Sequence, residues 1–204
     1  MLYCYWGIDM KEPLLYRIVR PIIKLLFNLF YQPKIIGLEN INIKGKLVLA
    51  GNHTSYLDCL LLISATKRVI HFLAKDSLNK GAKKIIFKNM GIIPVNREHK
   101  DRQVLDISHK CLINDTVVCV FPEGTINRTD KVIMPFKIGA VKMAHDANAP
   151  LVPFTITGKY KFFGGIRLEF LPSINVCSDL SIENEKLMHL IKDNLERNNN
   201  EINK

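Results

Sequence analysis

Acidic residues are scarce in this 204-residue chain, where 19 Asp and Glu stand against 29 Lys and Arg for a formal net charge of +10. The deficit lies ahead of Ser178: the stretch from there on holds 4 basic and 6 acidic residues, leaving +12 on the part before it. Such a field draws in anionic partners, nucleic acid and anionic lipid alike. The five cysteines, Cys4, Cys59, Cys111, Cys119 and Cys177, are odd in number and lack Cys-x-x-Cys spacing. That argues against a disulfide framework and a thiolate metal site, and fits reduced thiols. Internal repeats and low-complexity linkers are also missing, so 48% hydrophobic content points to one substantial core. No Gly-x-Ser-x-Gly occurs, which disfavours a serine hydrolase elbow. Apart from Phe87, aromatic residues are not interleaved with the lysines of Lys80-Gly81-Ala82-Lys83-Lys84-Ile85-Ile86-Phe87-Lys88, and that weakens a nucleic-acid reading. A solvated helix face is the plainer account of that run, with proximity to lipid headgroups as the other.

Long uninterrupted apolar runs are missing too. Between Pro13 and Tyr31, Arg17, Arg20 and Lys24 break every candidate before the roughly 18 to 20 residues that a span needs. With Asn28 they form one polar stripe on a helix, beside a broad apolar surface of Leu14, Leu15, Ile18, Val19, Ile22, Ile23, Leu25, Leu26, Phe27, Leu29 and Phe30. This pattern suits the plane of a bilayer interface, or a helix packed on the protein's own core, and Pro21 is expected to bend it or start it afresh. No small-residue cleavage site follows, so a secretory signal is not expected. Residues 1–33 therefore read as an amphipathic, membrane-associating segment ahead of a domain over 34–204.

Within that domain, strands are expected near 34–37, 46–50, 69–74, 92–95, 116–121, 151–157 and 166–170. Helices are expected near 56–65, 79–89, 100–113, 137–147 and 181–197, with a frayed tail from Asn198 to Lys204. The alternation implies an α/β layered domain whose central sheet is largely parallel and flanked by helices. In such sheets ligands sit beyond the carboxyl ends of the strands.

Two of those ends carry chemistry. Asn52-His53-Thr54-Ser55-Tyr56-Leu57-Asp58 follows the run 46–51 and sets an imidazole five residues from a carboxylate. A helix beginning near Ser55 brings Asp58 back to one ring nitrogen of His53 and leaves the other to take a proton, the logic of an oriented general base. Ser55 and Asp58 also resemble a helix-capping arrangement. Phe121-Pro122-Glu123-Gly124-Thr125 follows 116–120, and there Glu123, Thr125 and Arg128 offer polar reach around a glycine that admits close approach. As bare sequence, Pro-Glu-Gly-Thr is equally a surface turn. Gly91-Ile92-Ile93-Pro94-Val95-Asn96-Arg97 ends on a guanidinium suited to phosphate, and Val152-Pro153 opens a buried strand.

These blocks, in this order, resemble the glycerophospholipid acyltransferase family, and in particular 1-acylglycerol-3-phosphate acyltransferases, over roughly residues 34–175. Pro135-Phe136-Lys137-x-Gly139-Ala140 matches a further family element. The resemblance implies His53 as general base and Asp58 as its orienting partner. It implies Arg97, with Lys75 and Arg128, against the acceptor phosphate, and Glu123, Gly124 and Thr125 around its glycerol. Ile126-Asn127-Arg128 stands where many members carry Arg-Ser-Arg, so Arg128 alone adds positive charge to that loop. The implied reaction moves a fatty acyl group from acyl-CoA or acyl-carrier protein onto lysophosphatidic acid, giving phosphatidic acid for phospholipid biosynthesis. It needs no metal or cofactor, and its place is the cytoplasmic face of an anionic membrane, peripheral or monotopic. The other readings are transfer to another lysolipid, a lipid hydrolase or thioesterase using the same His-Asp pair, and a non-catalytic basic module. Cys59, beside Asp58, is a rival nucleophile.

Overall fold

The computed structural model describes residues 3–4, 8–9, 14–75, 81, 85–86, 89–95, 102–177 and 179–202. Arg97, the lysines at 80, 83, 84 and 88, and most of the helix expected over 79–89 lie outside them. A short antiparallel pair, β1 (Tyr3–Cys4) and β2 (Ile8–Asp9), precedes helix α1 (Leu14–Phe30). The rest is built on seven strands: β3 (Lys34–Ile36), β4 (Leu47–Gly51), β5 (Ile70–Lys75), β6 (Ile93–Val95), β7 (Val117–Val120), β8 (Leu151–Lys161) and β9 (Gly164–Phe170). The sheet order is β3-β9-β8-β4-β7-β5-β6. Strands β4 to β8 run parallel, while β9 returns antiparallel to β8 and carries β3 beside it.

The central strands are buried on both faces, as their near-continuous apolar sequences require. Along β4, Val48 and Ala50 face one core and Leu47 and Leu49 the other; along β7, Val118 and Val120 alternate with Val117 and Cys119 in the same way. Helices α3 (Arg102–Ile113), α4 (Gly139–Asp146) and α5 (Leu180–Ile202) cover the first face. Helices α1 and α2 (Asp58–Ala65) cover the second.

Helix α1 divides its surface in two. Tyr16, Ile23 and Phe27 are buried in the core, so the segment expected as an attachment is anchored on the domain. The Tyr16 hydroxyl donates to the Arg68 carbonyl, and Arg20 Nε donates to that of Thr66 at 2.5 Å. The helix runs unbroken through Pro21, which is exposed. No helix among the described residues is long and apolar enough to cross a membrane.

The expected frayed tail is corrected by α5, which is helical through Ile202. Asn198 is fully buried, and its Nδ2 donates to Glu169 Oε2 at 3.0 Å. Asparagine-rich sequence reads as a fraying end, yet here it faces a buried carboxylate that needs donors. Glu169 also accepts from Asn194, Arg197 at 2.7 Å and Arg167 at 3.0 Å. Burial opposes its charge, but the bonds from Asn198 and Asn194 and the two guanidiniums hold the carboxyl below the ordinary glutamate range. Glu169→Gln should cost about 2 kcal/mol at neutral pH, as hydrogen bonds to a charged group do. Because the folded carboxyl is the stronger acid, that advantage is present above the unfolded value of about 4.3 and is lost as pH falls through the folded one. Urea unfolding of the two proteins should therefore converge in acid, and a gap that persists there would contradict this role.

Candidate active site

The carboxyl ends of the parallel strands share one edge, and the chain crosses β4 there: from β7 on one side it returns as β8 on the other. Gly51 closes β4 against Phe154, whose ring and carbonyl would lie about 2.5 Å from any Cβ placed there. Asn52 then extends the ladder with its side chain. Its Nδ2 donates to the Ile156 carbonyl at 2.9 Å, and its Oδ1 accepts the Ile156 N–H at 2.8 Å. A side chain that stands in for a strand residue fixes where His53 leaves the sheet.

His53 Nδ1 lies 2.8 Å from Asp58 Oδ2. That oxygen also accepts the N–H groups of Thr54 at 2.6 Å and Ser55 at 2.8 Å, while Oδ1 accepts the hydroxyls of Thr54 at 3.1 Å and Tyr160 at 2.7 Å. With every other contact a donor, the consistent tautomer carries the proton on Nδ1 and leaves Nε2 as the acceptor. Asp58 is fully buried, whereas the His53 side chain is 15% exposed. The Ser55–Asp58 capping arrangement is not formed: α2 begins at Asp58 itself, Leu57 ahead of it makes no side-chain cap bond, and the Asp58 carboxylate instead accepts N–H groups of the preceding loop while it orients the imidazole. Burial, with the Asp58 charge beside it, pushes the Cys59 thiol up to about 12. That keeps it protonated and removes it as a rival nucleophile.

The 121–128 loop clamps His53 from the other side. Glu123 Oε1 accepts the His53 N–H at 2.9 Å, and the Asn127 N–H donates to the His53 carbonyl at 2.8 Å. The Phe121 ring lies parallel to the imidazole, with centroids 4.0 Å apart and 16° between planes. Glu123 Oε2 accepts the Met134 N–H at 2.9 Å, so the buried carboxylate braces two loops. Its burial raises the carboxyl pKa, against the lowering influence of those two N–H bonds. Gly124 has φ of 73°, and a Cβ there would meet Lys137 Nζ at 2.8 Å, which leaves the position to glycine. Thr125 and Arg128 are exposed on the same loop. Lys75 is exposed at the carboxyl end of β5, paired with Val95 two residues before Arg97.

His53, Asp58 and Glu123 thus form one hydrogen-bonded unit, with Gly124, Thr125 and Arg128 on its loop and Lys75 on the same sheet edge. Asn52, Phe121 and Tyr160 belong to the unit although sequence reading assigned them no role. The first two sit inside quoted motifs. Tyr160 carried no local signal, being 102 positions from Asp58.

The model of the Acyltransferase family matches residues 32–157, more than half of the chain. The chain belongs to this family. An enzyme of Mycoplasma pneumoniae called probable 1-acyl-sn-glycerol-3-phosphate acyltransferase is 35% identical over 131 residues, 61% of this chain and 48% of that protein. The 1-acyl-sn-glycerol-3-phosphate acyltransferase of Bacillus subtilis is 29% identical over 71% of this chain and 72% of its own length. The chain thus spans about half of the first relative and more of the second. The crystal structure of the 1-acyl-sn-glycerophosphate acyltransferase of Thermotoga maritima superposes with a TM-score of 0.72 at 21% identity, covering 90% of this chain and 79% of that one. That likeness establishes the α/β acyltransferase fold.

Two substitutions test the clamp of this family member. Tyr160→Phe removes one donor to a buried carboxylate and should lower stability by about 2 kcal/mol in urea unfolding. An unchanged midpoint would show that the bond contributes nothing. Glu123→Gln turns an amide N–H toward either His53 N–H or Met134 N–H, which should cost about 1–3 kcal/mol and reduce turnover. Full stability and activity would contradict the bracing role.

Proposed function

We propose that this acyltransferase moves a fatty acyl group from an acyl thioester to the free hydroxyl of a 1-acylglycerol-3-phosphate, yielding phosphatidic acid for phospholipid biosynthesis. The observation that carries the chemistry is the His53–Asp58 contact at 2.8 Å, with Nε2 left to accept a proton. The names of the relatives support the choice of acceptor. His53 Nε2 takes the hydroxyl proton as the oxygen attacks the thioester carbonyl carbon. The carbon–sulfur bond then breaks, and the departing thiolate receives the proton from the imidazolium, which restores the neutral ring. Coenzyme A and acyl carrier protein both present this thioester. Arg97, Lys75 and Arg128 receive the acceptor phosphate, and the Gly124–Thr125 turn lies against its glycerol.

The site is the cytoplasmic face of an anionic membrane, with the protein bound through α1. Opposite its core stripe, α1 exposes Leu14, Ile18, Ile22, Leu25, Leu26 and Leu29, an apolar face left uncovered among the described residues. This chemistry uses no metal or cofactor.

An acceptor screen with purified protein and one acyl thioester, read by mass spectrometry, should give phosphatidic acid as main product. Release of free fatty acid without lysolipid would favour the hydrolase reading. His53→Ala should lower turnover by roughly two to four orders of magnitude with folding intact, the usual worth of a general base. Arg97→Ala should impair phosphorylated acceptors more than unphosphorylated lysolipids, and equal losses would remove the phosphate assignment.

A further inference from the structure

The β8–β9 hairpin ends in a feature that neither the dyad nor α1 explains. Its two-residue turn is Phe162-Phe163, and the two side chains are 69% and 73% exposed. Phe163 also has φ of 62°. Bulky residues rarely occupy that left-handed region, and short hairpin turns favour glycine or asparagine there. Strain and exposure therefore coincide on one aromatic ring, a combination that persists where something outside the hairpin needs the ring.

The position of the turn indicates what that is. The β4–β8 ladder ends at Gly51↔Phe154, and β8 continues past it to Lys161 on the edge that carries His53. Tyr160, in this overhang, bonds to Asp58, so the tip stands beside the dyad. It is also continuous with the outer face of α1. The Phe163 N–H donates to the Phe30 carbonyl at 2.6 Å, and the Phe162 ring lies 6.0 Å from that of Phe30 and stacks on Tyr31 at 6.0 Å and 8°. Residues 14–33 and 155–168 contain no acidic residue, while Lys159 and Lys161 are exposed on the hairpin and Arg17 and Lys24 on α1.

We propose that the Phe162–Phe163 turn is a second bilayer contact, set into the headgroup–acyl boundary of an anionic phospholipid membrane next to the outer face of α1. Two contacts fix the tilt of the domain where one helix would leave it free to roll. They hold the His53 edge against the membrane, so a lysolipid reaches the dyad without its acyl chain crossing water. The composition fits a bilayer better than a second copy of this chain, which would bring exposed Lys24, Lys159 and Lys161 toward their own counterparts. This inference rests on the membrane-bound reading above and adds the element that orients the protein.

The test is co-sedimentation of the full chain with mixed phosphatidylcholine–phosphatidylglycerol vesicles. Phe163→Gly places at the left-handed position the residue that adopts it freely, and keeps the backbone bond to Phe30 and the Phe162 contacts. Its melting temperature should equal or exceed that of the parent, while its partition falls by roughly tenfold, the worth of one ring withdrawn from an apolar phase. Phe163→Trp should bind at least as well as the parent. Turnover of vesicle-embedded lysolipid should fall with binding, while turnover of a short-chain acceptor in solution holds. Unchanged binding of Phe163→Gly would overturn the proposal, as would a lipid-free dimer that this substitution dissociates. Partition is measured without substrate, so a parent protein that transfers no acyl group would refute the proposed reaction and leave the binding result standing.

Discussion

A carboxylate with no exposure to water is the constraint on which the site depends. Asp58 has lost its hydration entirely, and such a charge is tolerated only where donors replace the water. They come from His53, Thr54, Ser55 and Tyr160, and so from two separated parts of the chain. Satisfying Asp58 therefore draws the 52–58 loop into a tight turn and fastens the β8 overhang to it. The orientation of the imidazole follows from the needs of the acid beneath it, which joins stability and chemistry in one network.

The sheet supplies the frame for that network. Because β8 runs parallel to β4 and outlasts it, the strand that completes the central ladder also forms one wall of the site. Asn52 binds Ile156 through both faces of its amide and carries the register past the last backbone pair. On the opposite side, Glu123 and Asn127 hold the backbone of His53 from the loop after β7. The histidine is gripped by main-chain bonds on both flanks, so little of its position rests on its own side-chain torsions.

Much of this was legible in the sequence, for reasons that differ by element. The central strands announced themselves because burial on both faces requires unbroken apolar runs, and His53 and Asp58 because their contact is local. Strand β8 was expected to stop at 157 but reaches Lys161, since its outer residues Gly158, Lys159 and Lys161 are exposed and lack an apolar pattern. Tyr160 was invisible because its partner is set by topology. An asparagine-rich end looks solvated in sequence, and only the placement of Glu169 beneath α5 explains the burial of Asn198. Helix α1 has a core-facing stripe and an outward apolar face at once, which the breadth of its apolar surface in sequence allows.

The ring of Phe121 has a further consequence. It covers one side of the imidazole at 4.0 Å and leans edge-on against buried Phe154, so it cannot readily swing away. One face of His53 is thereby closed, and in the proposed reaction the acceptor alcohol would meet the nitrogen from the rim. In the proposed reaction, a proton taken up by the ring would place its positive charge on a phenyl π-cloud whose negative quadrupole attracts it. The same packing that narrows the approach thus also cushions the short-lived cation.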